Sequence, residues 1–425
     1  MLLTYLLHTF LERWVLKVIQ FFFNYPVYYL KRVWNWLDKY HVAIDNYRSM
    51  EHCNLTRSIP YGPHHREKFH VLVPTLHTTI RGNIFYVHGG GFVASCREMY
   101  YNSFTYLVRR GYRVFVVDYP LSPESRHPQP TLSILRCMHF LNTNPSWGIQ
   151  QLHMAGDSAG ANLILLATSI VNNGHIRQDF ISCVKPQPCS TFVYPTVLTC
   201  MSIYGMIHRK KENNHACHSW SSFGTRLGLQ YLWDCISNYE KEPELNTNTF
   251  PISFQDVLDR YSVLQLPPTE FFVGDIDPLL DDSKLVHQRM VQGRVGFGGG
   301  GSGGKGSGKG SGKGSGSTPP LLHVYKGGFH GFFGLPPEWQ PFGVWQTAAL
   351  PCAEDVYSFL SKYTMIKRNE KIKLKGSKAI GLDFYGVIVI YTLAVVMPFV
   401  IAVGPVVVAY LVYQTGVLLY HNGVH

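Results

Sequence analysis

The run Gln151-Leu152-His153-Met154-Ala155-Gly156-Asp157-Ser158-Ala159-Gly160-Ala161-Asn162-Leu163-Ile164 passes from an apolar stretch of strand length into a helical one through Gly156 to Gly160. Gly-x-Ser-x-Gly at such a junction predicts a sharp strand-to-helix turn, a nucleophile elbow, that lifts the Ser158 hydroxyl above a sheet. The small residues permit the turn, and the first helical amides face whatever anion forms there. A pentapeptide of this form occurs by chance. The strand before it and the helix of Ala159 to Asn172 after it give it meaning.

The same alternation repeats on either side. Short β-branched or aromatic runs at Phe69 to Val73, Asn83 to Val87, Val114 to Asp118, Gln151 to Ala155, Thr191 to Tyr194, Glu270 to Val273 and Leu321 to Tyr325 read as strands. Helical stretches at Tyr100 to Arg110, Pro130 to Asn142, Ala159 to Asn172 and Leu279 to Val291 lie between them. This order predicts an α/β domain, a mostly parallel sheet flanked by helices. With 425 residues the chain accommodates one catalytic domain, assigned to 51–366, plus appendages.

Three further motifs carry chemistry. His88-Gly89-Gly90-Gly91-Phe92 follows a strand, and side-chain-free glycines let backbone N–H groups approach an oxygen on which negative charge develops. The expected donors are Gly90, Gly91 and Ala159, with Gly89 as a replacement for one of them. In Asp275-Ile276-Asp277-Pro278-Leu279-Leu280-Asp281-Asp282, Asp277 is preferred as the acid. Pro278 can open a helix at its first position and leave Asp277 on a loop at the sheet's C-terminal edge. Asp275 is the alternative, while Asp281 and Asp282 read as solvated or first-turn residues. His330 stands apart from the other histidines because it lies in the glycine-rich loop Gly327 to Phe332 after the last strand, giving the chain order Ser, Asp, His. In this reading Ser158 attacks, His330 moves the proton and Asp277 orients the imidazole. No cofactor is expected, and the cysteine spacing suits no metal.

The His-Gly-Gly-Gly-Phe and Gly-Asp-Ser-Ala-Gly pair resembles the hormone-sensitive-lipase family, which includes arylacetamide deacetylases and bacterial esterases. Asp118-Tyr119-Pro120-Leu121-Ser122-Pro123-Glu124 is similar to that family's Tyr-Arg-Leu-Ala-Pro-Glu, and Leu266-Pro267-Pro268 leading to Asp277 to Asp282 is similar to its acid-bearing segment. The similarity covers Lys68 to Leu360. Pro120 replaces the usual Arg, and Ala161 a common Gly. The resemblance implies the α/β-hydrolase fold and a serine carboxylic ester hydrolase of lipase or esterase type. A Gly/Ser/Lys run, Gly296 to Ser317, is expected as a disordered surface loop inside this one domain. Asp277 and His330 are 53 residues apart; without the 22 of that run, 31 remain, as the resemblance implies.

The formal net charge is +11, but Lys305, Lys309, Lys313 and the basic stretch Lys367 to Lys378 supply eight of those charges, so no nucleic-acid partner is expected. Nine cysteines, an odd number, read as reduced thiols and favour a cytosolic catalytic domain, although the sequon Asn54-Leu55-Thr56 keeps a luminal placement open. Residues 1–50 read as amphipathic helices lying on a membrane surface or capping the domain. Residues 367–384 read as a basic juxtamembrane linker. Residues 385–420 contain no Asp, Glu, Lys or Arg and hold Pro398 and Pro405, which predicts a kinked transmembrane span or a hairpin in one leaflet. Membrane lipid is therefore an expected partner, with endoplasmic reticulum or lipid droplet as candidate locations.

Residues 198–250, with Trp220, Phe223, Leu227, Tyr231 and Trp233, read as a helical cap that suits a hydrophobic ester substrate. Packing of those aromatics on the sheet is the plainer reading. Two rival functions stay open: amide cleavage by the same triad, and a non-catalytic small-ligand receptor on this fold.

Overall fold

The structure is a computed structural model, and it describes residues 53–75, 79–184, 188–209, 232–237, 250–261, 264–297, 319–334 and 348–364. All of these belong to the compact unit Asp45–Leu374, one of the two into which the chain divides. The expectations for residues 1–50, 367–384 and 385–420 lie outside the described residues, as do those for Trp220, Phe223, Leu227 and Tyr231. Among the described residues, no helix is long and apolar enough to cross a membrane.

The architecture follows from how the strands bury their side chains. In β3 (Gly82–Val87), Ile84 and Tyr86 enter one hydrophobic cluster while Phe85 and Val87 enter another. β4 (Tyr112–Val117) does the same, with Tyr112, Val114 and Val116 opposite Phe115 and Val117. Strands with no polar face need helices on both sides. α1 (Tyr101–Val108) and α7 (Leu350–Lys362) cover one face; α2 (Gln129–Thr143), α3 (Ala159–Asn172), α4 (Gly174–Cys183) and α5 (Phe254–Arg260) cover the other.

The sheet has eight strands in the order β1-β2-β4-β3-β5-β6-β8-β10. β1 (Cys53–Pro60) and β2 (Lys68–Pro74) pair antiparallel, as do β2 and β4. From β4 onward, through β5 (Gln151–Asp157), β6 (Thr196–Ile203), β8 (Thr269–Gly274) and β10 (Leu321–Tyr325), every pairing is parallel. The C-terminal ends of these six strands therefore share one edge, where sites in such sheets are built. β7 (Leu264–Leu266) and β9 (Val295–Phe297) form a separate parallel pair.

Three expectations need correction. The strand expected at Thr191 to Tyr194 lies instead at Thr196–Ile203, after Pro195. Its Thr and Cys content hides it in the sequence, yet those groups are satisfied inside: Thr199 Oγ1 lies 2.9 Å from His153 Nδ1, and Thr168 Oγ1 lies 3.2 Å from Cys200 Sγ. The cap therefore cannot begin at residue 198. Gly296 and Phe297, expected to open the disordered run, belong to β9, while the rest of that run is outside the described residues. β1, which carries the sequon, was not foreseen. It is an edge strand whose side chains alternate between half-buried and exposed, so no apolar run announces it.

Candidate active site

Ser158 joins β5 to α3 at φ +49° and ψ −119°. A non-glycine residue pays roughly 1–3 kcal/mol for such a conformation unless its surroundings over-determine it. Here they do: its N–H donates to the Ile203 carbonyl at 2.9 Å, and its carbonyl accepts from the Met206 N–H at 2.9 Å. The two motif glycines make the turn possible. A Cβ on Gly160 would stand 2.1 Å from the Val87 carbonyl oxygen, and one on Gly156 would stand 2.6 Å from the Gly160 carbonyl carbon.

Ser158, His330 and Asp277 come together above the shared strand edge. Ser158 Oγ lies 3.0 Å from His330 Nε2, and His330 Nδ1 lies 3.1 Å and 3.2 Å from Asp277 Oδ2 and Oδ1. A carboxylate facing Nδ1 keeps the proton there, leaving Nε2 to accept from the serine hydroxyl. Asp277 is fully covered, and the Leu279 N–H fixes its Oδ1 at 2.8 Å, whereas the His330 side chain remains 37% exposed, open to an incoming molecule. Desolvation opposes a charge on His330, but the hydrogen bond and charge of Asp277, with help from Asp157, outweigh it and raise the imidazole above its ordinary 6.5. The Tyr204 ring packs edge-on against the imidazole at 5.0 Å.

The loops bearing acid and base are stitched together. Asp275 and Ile276 donate their N–H groups to the carbonyls of Tyr325 and Gly328, at 3.0 and 3.2 Å, and the Gly327 N–H donates to Asp275 Oδ1 at 2.7 Å. The crossing is so close that a Cβ on Gly274 would stand 1.9 Å from the Gly328 carbonyl oxygen. Asp275, the alternative acid, is thus occupied by the turn. Pro278 does not open the helix as expected: α6 (Leu280–Arg289) starts two residues later, with Asp281 and Asp282 in its first turn. Asp282 is buried there, 3.9 Å from His208, and not solvated.

The glycine loop after β3 supplies amides. Gly90 and Gly91 adopt φ +98° and +59°, and the Val93 and Ala94 N–H groups both donate to the Gly90 carbonyl, at 3.1 and 3.0 Å. A Cβ on Gly90 would stand 2.2 Å from the Ala94 carbonyl oxygen, so only glycine fits. Among the described residues, the N–H groups of Gly90, Gly91 and Ala159 have no hydrogen-bond partner. Gly89 is different and corrects the expectation: its N–H donates to Asp157 Oδ1 at 2.6 Å and is not available to a ligand.

Two buried carboxylates support this loop, and the sequence reading gave neither a role. Asp157 Oδ1 also accepts from the Tyr86 hydroxyl at 2.5 Å, tying loop to elbow; burial raises this carboxyl despite its donors. Asp118 Oδ1 lies 3.0 Å from His88 Nε2 and 3.3 Å from Arg66, and Arg97 meets its other oxygen. Burial opposes the charge on Asp118, but Arg66, His88 and Arg97 hold it well below the usual carboxylate range. The Tyr119 hydroxyl donates to the His88 carbonyl at 3.0 Å. The available signal was positional: each aspartate terminates an apolar strand run at the buried edge of the sheet.

A mostly parallel sheet with a serine on a strand-to-helix elbow, flanked by acid and histidine loops, defines the α/β-hydrolase class of protein. The profile of the family described as alpha/beta hydrolase fold matches residues 84–297, half of the chain, and the chain belongs to that family, in its hormone-sensitive-lipase-like branch. Acetyl esterases of Salmonella typhi and Salmonella paratyphi B are 26% and 25% identical to it over 221 residues, 50% of this chain and 60% of theirs. The chain thus matches less than two thirds of those relatives' length. Among solved structures, inhibited esterase B from Lactobacillus rhamnosis aligns with TM-score 0.57 at 14% identity, covering 80% of this chain and 96% of that one. A bacterial heroin esterase aligns with TM-score 0.54 at 17% identity, covering 79% and 92%. At these identities the structural likeness is one of fold.

Proposed function

We propose that the protein hydrolyses carboxylic esters with an apolar acyl group, through an acyl-enzyme on Ser158. The observation that carries this reading is the file of groups from Asp277 through His330 to Ser158 Oγ, every gap within hydrogen-bond reach. The Ser158 hydroxyl proton passes to His330 Nε2 as Oγ bonds to the carbonyl carbon, and the C=O π pair moves onto oxygen. That oxygen meets the amides of Gly90, Gly91 and Ala159, each such donor contributing on the order of 10²–10³ in rate. The ester C–O bond then breaks, and the departing alkoxide takes the proton from Nε2. Water repeats the sequence on the acyl-enzyme, with His330 again as base, and releases acid and Ser158. The named acetyl esterases among the relatives support the ester class.

The His330–Ser158 contact favours catalysis over a receptor role, because a receptor has no use for a base at the serine. The placement at a membrane belongs to the same proposal: the uncharged run 385–420 and its basic flank hold the catalytic body on the cytosolic side.

The test is turnover of p-nitrophenyl acetate, butyrate and octanoate, and of p-nitroacetanilide, by wild type and Ser158→Ala. Ester turnover well above anilide turnover, lost by about 10⁵-fold or more in Ser158→Ala, is expected. Preference for the anilide would establish the amidase reading. Equal rates for wild type and variant would end the serine mechanism.

A further inference from the structure

A helical turn at residues 232–236 reaches the glycine loop. Leu232 Cδ1, Cδ2 and Cγ stand 2.6, 2.7 and 3.1 Å from the position a Cβ on Gly91 would take, so the isobutyl group lies directly on this glycine. The turn is anchored. Trp233 packs on Phe92 with ring centroids 5.4 Å apart, the His127 N–H donates to the Ile236 carbonyl at 2.9 Å, and Arg126 Nη1 donates to the Ser237 carbonyl at 3.3 Å. Trp233 and Ile236 are buried, whereas Leu232 is half-buried.

The chemistry allots sides to the substrate. The reacting carbon carries Ser158 Oγ, an oxygen facing the glycine amides, an alkoxy oxygen facing His330 Nε2 for protonation, and the acyl chain. On the histidine side the Tyr204 ring packs against His330, backed by Phe332. Leu232 stands on the glycine side, where the acyl chain is the apolar substituent left to meet it.

We propose that Leu232 is a specificity-determining residue, the wall of the acyl pocket that restricts the substrate to short acyl chains. This rests on the esterase reading above and narrows it. A methylene against an apolar wall changes selectivity by about 10- to 200-fold, so trimming Leu232 has a measurable consequence.

The experiment measures kcat/KM for p-nitrophenyl acetate, butyrate and octanoate, and for methyl, butyl and octyl acetate, with wild type, Leu232→Val and Leu232→Ala, each checked by fluorophosphonate labelling. The octanoate-to-acetate ratio is expected to rise at least about tenfold in Leu232→Ala and by a smaller factor in Leu232→Val, with the alcohol-series ratios within about twofold of wild type. An unchanged acyl ratio in protein that still labels overturns the assignment and leaves the esterase reading standing. A change confined to the alcohol series overturns it as well. A wild type that neither labels nor turns over any ester overturns the esterase reading itself. Leu232→Val removes a single methylene, so it carries the decision if Leu232→Ala does not fold.

Discussion

Replacing Asp277 by Asn tests the division of labour in the candidate triad. The Leu279 N–H donates to Asp277 Oδ1 at 2.8 Å, so the carbonyl oxygen of an asparagine must occupy that position. Its NH₂ group then takes the Oδ2 position, 3.1 Å from His330 Nδ1. Two donors cannot face one another, so Nδ1 gives up its proton and accepts from the amide. That one ring proton then sits on Nε2, which points at Ser158 Oγ 3.0 Å away and can no longer accept the serine proton. An imidazole held in the wrong tautomer costs about 10⁴ in kcat, roughly 5 kcal/mol of transition-state stabilisation, with little change in fold or substrate binding. The assay is kcat and KM for p-nitrophenyl acetate, with the melting temperature as a check on folding. A folded Asp277→Asn protein within tenfold of wild-type kcat would refute this account of Asp277, and equal loss in Asp275→Asn would shift the role toward the turn.

Because the surroundings raise His330 above 6.5, wild-type kcat/KM is expected to fall as pH drops through that raised value, where the protonated ring cannot take the serine proton. A pH–rate profile checks this, and in Asp277→Asn the acid limb should move to lower pH. Gly160→Ala places a methyl 2.1 Å from the Val87 carbonyl oxygen, a backbone atom with nowhere to go, and should destabilise by about 3 kcal/mol or more, read as a lower denaturation midpoint. Asp157→Ala strands the Gly89 N–H and Tyr86 hydroxyl in the interior at about 1–3 kcal/mol each. It should depress kcat more than it raises KM, because the loop that presents Gly90 and Gly91 loses its tie to the elbow. Deleting residues 385–425 should move the protein from the membrane to the soluble fraction on ultracentrifugation; continued sedimentation with membranes would transfer the anchor to residues 1–50.

Much of the site was legible because its chemistry imposes local rules. The elbow needs small residues at 156 and 160, the amide loop needs residues that tolerate positive φ at 90 and 91, and the histidine must follow the last strand. Asp277 and Asp275 could not be separated from the sequence with the same force, since they differ by two positions on one loop. Their roles are decided by the crossing of Gly274 with Gly328, a contact between distant segments. Gly89 misled for a related reason: its amide is taken by Asp157, and nothing in His88 to Phe92 reveals that. Strand β6 was misplaced because its Thr and Cys side chains are satisfied only by partners from β5 and α3. Leu232 gave no signal at all, lying over a hundred residues from the glycine it covers.

The central claim is that Ser158 is a nucleophile activated by His330, and its most direct test is covalent. Wild type and His330→Ala are each treated with a fluorophosphonate, digested, and the adduct located by peptide mass spectrometry. The account predicts one phosphonylated serine in the wild type, on the peptide containing Gly156-Asp157-Ser158-Ala159-Gly160, and strongly reduced labelling in His330→Ala. Modification of a different residue, or labelling of Ser158 at an undiminished rate without His330, would contradict it.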